Sequence, residues 1–135
     1  MIVKTTTLSV KTESRETFKD VTASIRKFVQ KSNVQNGQVT LFVPHTTAAV
    51  TINENADPDV VTDLLFSLKK SFPDRKEFRH MEGNSDAHIK SSTIGASETV
   101  IVEDGSLKLG TWQGLYFCEF DGPRTRKLFV QVIGE

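Results

Sequence analysis

The chain has 135 residues, 37% of them hydrophobic and 25% charged, a length and balance that allow one domain with a single sizeable core and speak against a disordered or membrane chain. Seventeen basic residues balance seventeen acidic ones, so no general field exists to hold a nucleic acid by counterion release. No stretch approaches the roughly 20 apolar residues of a membrane span, and the N-terminal MIVKTTTLSVK lacks the apolar run of a signal peptide, so a cytoplasmic protein is expected. The lone Cys118 has no internal partner, which suits a reducing compartment.

Taken in chain order, Ile2 to Lys11 alternates β-branched and polar residues and predicts a strand. Phe18, Val21, Ile25, Phe28 and Val29 recur at helical spacing and predict an amphipathic helix over Glu16 to Lys31. Asn36-Gly37 punctuates the chain before a β-rich run, Gln38 to Val43, that ends at Pro44 with His45 just beyond. Ala48 to Glu54 alternates an apolar face with a small polar one. Asp57-Pro58 is a helix start, an acceptor at the cap before a proline whose missing N–H costs nothing there; Val60, Val61, Leu64, Leu65 and Leu68 form the buried stripe of a helix that stops before Pro73.

Phe78 to Asp86 is aperiodic and reads as a functional loop, followed by a short helix, Ala87 to Ile94, closed by Gly95. Thr99 to Glu103, Thr111 to Phe120 and Lys127 to Ile133 are predicted strands, the last two joined by an Asp121-Gly122-Pro123-Arg124 turn. Two long helices among about six strands make an α+β domain spanning residues 1–135. Thr111 to Phe120 is apolar on both faces, which suits either a contact with another subunit or a central strand inside one core.

The three histidines, His45, His80 and His88, all fall outside the long helices. Three neutral imidazoles and one open position form a familiar zinc arrangement, and imidazole also suits iron, nickel and copper. The plainer alternative is three separate surface histidines. Glu54, Glu82 and Asp86 lie near them in sequence and could accept a second imidazole N–H. Gly83-Asn84-Ser85 before a helix carrying Lys90 could hold an anion, as could Arg124 and Arg126 in the last turn.

Three segments, HTTAAVTINENADPDV, RHMEGNSDAHIKSS and LKLGTWQGLYFCEFDGPR, together resemble the signature of the YjbQ family over nearly the whole chain. The resemblance implies a mixed, mainly antiparallel α+β fold, a homotrimer with sites near subunit boundaries, and a divalent metal, zinc first among them, on His45, His80 and His88. Thr46, Thr47, Asn53 and Glu54 match its first motif, Glu82, Asn84, Asp86 and Lys90 its second, and Gln113, Glu119 and Arg124 its third. It further implies thiamine-phosphate synthase chemistry on a small phosphorylated metabolite, joining a hydroxymethylpyrimidine diphosphate to a thiazole phosphate. In that scheme Glu54 or Asp86 is the base, Lys90 or Arg124 the anion clamp, and Thr46, Thr47, Asn53, Asn84, Gln113 and Glu119 touch substrate. A metal-dependent hydrolase and a non-catalytic metabolite- or metal-binding protein are the rival readings.

Overall fold

The computed structural model describes residues 1–135, with eight strands and three helices. In chain order these are β1 (Ile2–Lys11), β2 (Thr17–Asp20), α1 (Thr22–Ser32), β3 (Gly37–Phe42), β4 (Ala48–Glu54), α2 (Pro58–Ser71), α3 (Ser85–Ile94), β5 (Ser97–Glu103), β6 (Ser106–Leu107), β7 (Gln113–Glu119) and β8 (Thr125–Gly134). They form a five-stranded sheet in the order β1-β8-β3-β5-β6 and a three-stranded sheet in the order β2-β7-β4. All six strand pairs are antiparallel, so the mainly antiparallel expectation holds in its strongest form. None of the helices is long and apolar enough to cross a membrane.

Alternation along the strands decides the layering. On β8, Arg126, Leu128, Val130 and Val132 are buried while Thr125, Lys127, Phe129 and Gln131 are exposed, as a period of two requires when one face meets a core. Leu128, Val130 and Val132 join Val39 and Leu41 of β3, Val50 of β4, Leu115 and Phe117 of β7, and Ile25 and Val29 of α1 in one apolar cluster. A second cluster lies on the opposite face of the small sheet, where Phe18, Ala49, Tyr116, Cys118 and Phe120 meet Ala87 of α3 and Val61, Leu64, Leu65 and Leu68 of α2. The small sheet is therefore the middle layer. That settles the double burial of Thr111 to Phe120: β7 is an internal central strand, flanked by β2 and β4 and covered on both faces by its own chain, so its apolar coverage gives no reason to place a subunit contact there.

The first helix starts later than its spacing suggested. Thr17–Asp20 is an edge strand, with Phe18 opposite Cys118 in the second cluster, whereas Ile25 and Val29 belong to the first. Helical spacing ran across residues that serve two different cores. Asp20 then starts the helix, its Oδ1 accepting from the Thr22 N–H at 2.9 Å and from Thr22 Oγ1. The Asp104-Gly105 pair between β5 and β6, φ 51° and 76°, is the signature of a tight hairpin and was the signal for the extra two-residue strand.

Large-to-small substitution should expose the two-core economy. Phe117→Ala, at a fully buried position of the middle layer, is expected to lower unfolding free energy by about 3–5 kcal/mol in urea denaturation. Met81→Ala, at a fully exposed position, should stay within about 0.5 kcal/mol of the unsubstituted chain.

Candidate functional site

At one end of the two sheets, Arg126 and Glu119 face each other. Arg126 is the first inward residue of β8 and Glu119 ends β7, and both are almost wholly buried. The guanidinium grips the carboxylate through Nε, 2.8 Å from Oε1, and through Nη2 to Oε2. Glu119 also accepts from Thr12 Oγ1 at 2.7 Å and from the Asp121 N–H at 3.0 Å, while Arg126 Nη2 donates to Thr47 Oγ1 at 2.8 Å. Burial alone would raise the Glu119 pKa; the bonds from Arg126, Thr12 and the Asp121 amide, with the Arg126 charge, outweigh it and hold the carboxyl below its ordinary range.

Above this pair opens a cavity of about 440 Å³ with no hydrophobic residue in its wall. His45, His80 and His88 all line it, together with Thr46, Thr47, Glu82, Asn84, Asp121, Arg124 and Arg126. His45 sits two residues past Val43, and its Nε2 accepts the Lys127 backbone N–H at 2.9 Å. Burial, and then the Arg126 charge, push its pKa below the ordinary value, so the ring is neutral and able to accept. His80 and His88 meet edge to face with ring centroids 5.4 Å apart, and neither ring makes a hydrogen bond within the chain.

The donor set suits an ion only in part. His80 and His88 offer two adjacent imidazoles, but the single lone pair of neutral His45 is already taken by Lys127, and no three His, Cys, Asp or Glu side chains stand close enough to hold an ion between them. As the side chains stand, the rings of His80 and His88 are free of hydrogen bonds within the chain and that of His45 is not.

Asn84 precedes α3, and its Nδ2 donates to Asp121 at 2.8 Å and to Glu82 at 3.3 Å. Its Oδ1 is buried and finds no partner in the protein. Arg124 is tied back by the same acid, Nε to the Asp121 carbonyl at 2.8 Å and Nη2 to its carboxylate at 3.1 Å, yet half its side chain remains exposed at the rim. Asp121, read from sequence as a turn residue, is thus the organising acid of this wall; its place in the EFDGPR segment two residues after Glu119 was the available clue.

Other predicted residues lie elsewhere. Asn53, Glu54 and Gln113 sit at the far end of the β4–β7 pair, with Glu54 opposite Gln113 and Ala48 opposite Glu119. Six residues of strand, about 20 Å at 3.4 Å each, separate Glu54 from the histidine end, too far for a base acting in the same chain's cavity. Asp86 is held by Arg15 at 3.3 Å and by Lys90 at 3.5 Å, and Lys90, 1% exposed, is neutralised by Glu16 at 2.6 Å; neither is a free base or anion clamp for the histidine cavity. Glu119 is sealed beneath the floor and cannot touch substrate. Cys118 is buried, and burial raises its thiol pKa far above the range of a nucleophile.

A family model described as UPF0047 protein YjbQ-like matches residues 6–135. The chain belongs to the YjbQ-like UPF0047 family. It is 53% identical over 129 residues to the UPF0047 protein YugU of Bacillus subtilis, covering 95% of this chain and 98% of that one. The crystal structure of an uncharacterized YjbQ/UPF0047 protein from Clostridium acetobutylicum superposes with a TM-score of 0.93 at 54% identity, over 95% of this chain and 99% of that one. A YbjQ-like protein of unknown function from Sulfolobus solfataricus reaches 0.94 at 32% identity, over 98% of each. The YjbQ-like fold is thus kept at a third of the sequence.

The buried pair makes stability acid-sensitive. A carboxyl whose folded pKa is depressed stabilises the fold above its unfolded pKa, about 4.3, and that contribution is lost as pH falls through the folded value. Glu119→Gln should cost about 3–5 kcal/mol at neutral pH by leaving the buried Arg126 charge uncompensated. It should also flatten the fall in urea midpoint expected below pH ~4.3 for the unsubstituted chain.

Proposed function

We propose that the histidine cavity binds a small phosphorylated metabolite together with a divalent metal ion, zinc first, and that its chemistry is the weak thiamine-phosphate synthase reaction implied by the family resemblance. The observation that carries the reading is the convergence of three imidazoles with Arg124 in one mainly polar cavity. Half-exposed Arg124 and the exposed Thr46 hydroxyl are placed to receive phosphate oxygens, and Arg126, neutralised by Glu119, supplies a fixed floor rather than free charge. His80 and His88 would hold the ion, which would supply charge neutralisation toward a departing diphosphate. The orphan Asn84 carbonyl is an acceptor kept for a water or a ligand donor near the same wall.

This reading asks little of a general base, and that agrees with where the acids lie. A hydrolase needs a proton acceptor near bound water, and with Glu54 at the far end of β4 and Asp86 ion-paired, only Glu82 among the three candidate acids lines the cavity. The same placement favours a non-catalytic binding protein as the second reading.

We further propose that the protein works in the cytoplasm as a homotrimer. With β7 enclosed by its own chain, the surface that favours assembly is the outer face of the five-stranded sheet, where Phe42 and Phe129 stack at 6.5 Å and Val3 and Ile101 stand more than half exposed. Light scattering should give three times the chain mass, and Phe42→Asp with Phe129→Asp should shift it to the monomer; an unsubstituted chain that is monomeric at micromolar concentration would rule the assembly out.

Metal content and activity test the site together. Purified protein dialysed against zinc is expected to retain about one ion per chain, and His80→Ala and His88→Ala to retain none. Supplied with the pyrimidine diphosphate and the thiazole phosphate, the unsubstituted chain should form thiamine phosphate, with His80→Ala slower by about a hundredfold. Equal trace activity in both proteins would sink the synthase reading and advance the binding role.

A further inference from the structure

Although the whole chain carries no net charge, residues 69–79 hold Lys69, Lys70, Arg75, Lys76 and Arg79 against only Asp74 and Glu77. None of these five cations takes part in any of the ion pairs of the structure. The first two, Lys69 and Lys70 in the last turn of α2, border with Asp74 a second cavity of about 670 Å³, inside the size range of small-molecule sites. This cavity is back to back with the histidine cavity: Gly83 and Asp86 line the one, Asn84 and Asp121 the other, and Arg15 joins them through Asp86 at 3.3 Å and Asp121 at 3.7 Å.

Its chemistry is built from two levels. The floor is the ammonium of Lys90, 1% exposed and ion-paired with Glu16 and Asp86, so it is held in place and its charge is already compensated. The wall is one stripe of α2, because Phe66, Lys69 and Lys70 stand at i, i+3 and i+4 and share a helix face. Val61, Leu64, Leu65 and Leu68 serve the core, while Phe66 is left 62% exposed with Lys70 Nζ 5.7 Å from its ring centre. Cations near a helix C-terminus are favoured by the dipole, which accounts for the lysines but not for an aromatic ring left mostly exposed beside them on a cavity wall.

We propose that this second cavity is a binding site for a small organic phosphate bearing a flat ring, with the phosphate on Lys69 and Lys70 and the ring against Phe66. The unpaired lysines supply the charge, the exposed ring supplies an apolar platform, and the fixed Lys90–Glu16–Asp86 floor limits the depth of entry. The site is independent of metal at the histidines.

The test is a titration of ¹⁵N-labelled, EDTA-treated protein with adenosine monophosphate, and separately with inorganic pyrophosphate, followed by amide shifts. Adenosine monophosphate should move Phe66, Lys69, Lys70 and Gly83 saturably. The double variant Lys69→Gln, Lys70→Gln should bind both probes at least about tenfold more weakly. Phe66→Ala should weaken the nucleotide and leave pyrophosphate within about twofold. All three residues are on the surface, so the variants keep a dispersed spectrum. The double variant His80→Ala, His88→Ala should bind as the unsubstituted chain does, which separates this site from the metal reading. Shifts that fail to saturate, that centre on His80 and His88, or that survive the loss of both lysines would overturn the proposal.

Discussion

The Arg126–Glu119 pair is the constraint on which the site depends. Two charges taken out of water must be matched fully or the fold loses several kcal/mol, so every other group nearby is arranged to complete them. Thr12 and the Asp121 amide fill the carboxylate, and Thr47 fills the guanidinium. Each of those contacts fixes something beyond itself. Thr47 anchors the segment between His45 and β4, Asp121 anchors both Asn84 and Arg124, and the residue after Arg126 supplies the amide that orients His45. A buried ion pair thereby determines where one histidine, one amide and one surface cation stand.

Much of the fold was readable because its strands obey their period. β1 and β4 declared themselves through alternation, β8 through the turn before it, and α2 through Asp57, whose Oδ1 accepts from the Asp59 N–H at 2.9 Å ahead of Pro58. The failures share a physical cause: local spacing cannot tell which core a side chain will enter. Phe18 and Ile25 fit one helix on paper and lie in two different clusters. The site was readable in the same uneven way. His45, His80 and His88 share a cavity, as do Thr46, Thr47, Asn84 and Arg124, but closeness in sequence misled for Glu54, because a strand carries a chain away from its starting point by over 3 Å per residue. Lys90 and Asp86 misled differently, since composition shows charges without showing that they cancel each other in a buried place.

The helix α3 partitions the chemistry. Its Asn84 end closes the wall of the histidine cavity, its first turn presents Asp86 to the neighbouring cavity, and one turn later His88 and Lys90 face the two separate hollows. Ser91 Oγ donates to the Ala48 carbonyl at 2.6 Å and ties the helix to β4 beside Ala49. Gly83, at φ 74°, turns the chain between the two hollows in a conformation that favours glycine. Movement of this helix would therefore alter both hollows at once.

The bond from Lys127 to His45 has a consequence for the sheet itself. Pairing of β3 with β8 stops at Phe42 opposite Phe129, so the Lys127 amide lies past the last rung on that side. The imidazole stands in for the strand that is no longer there, acting as a final rung made by a side chain. A neutral ring that accepts at Nε2 carries its proton on Nδ1 and has one lone pair, so a second proton on Nε2, or a metal ion taking that lone pair, would leave none for that amide. Occupancy of His45 and closure of this ladder are mutually exclusive, so the cavity and the end of the five-stranded sheet must respond as one body.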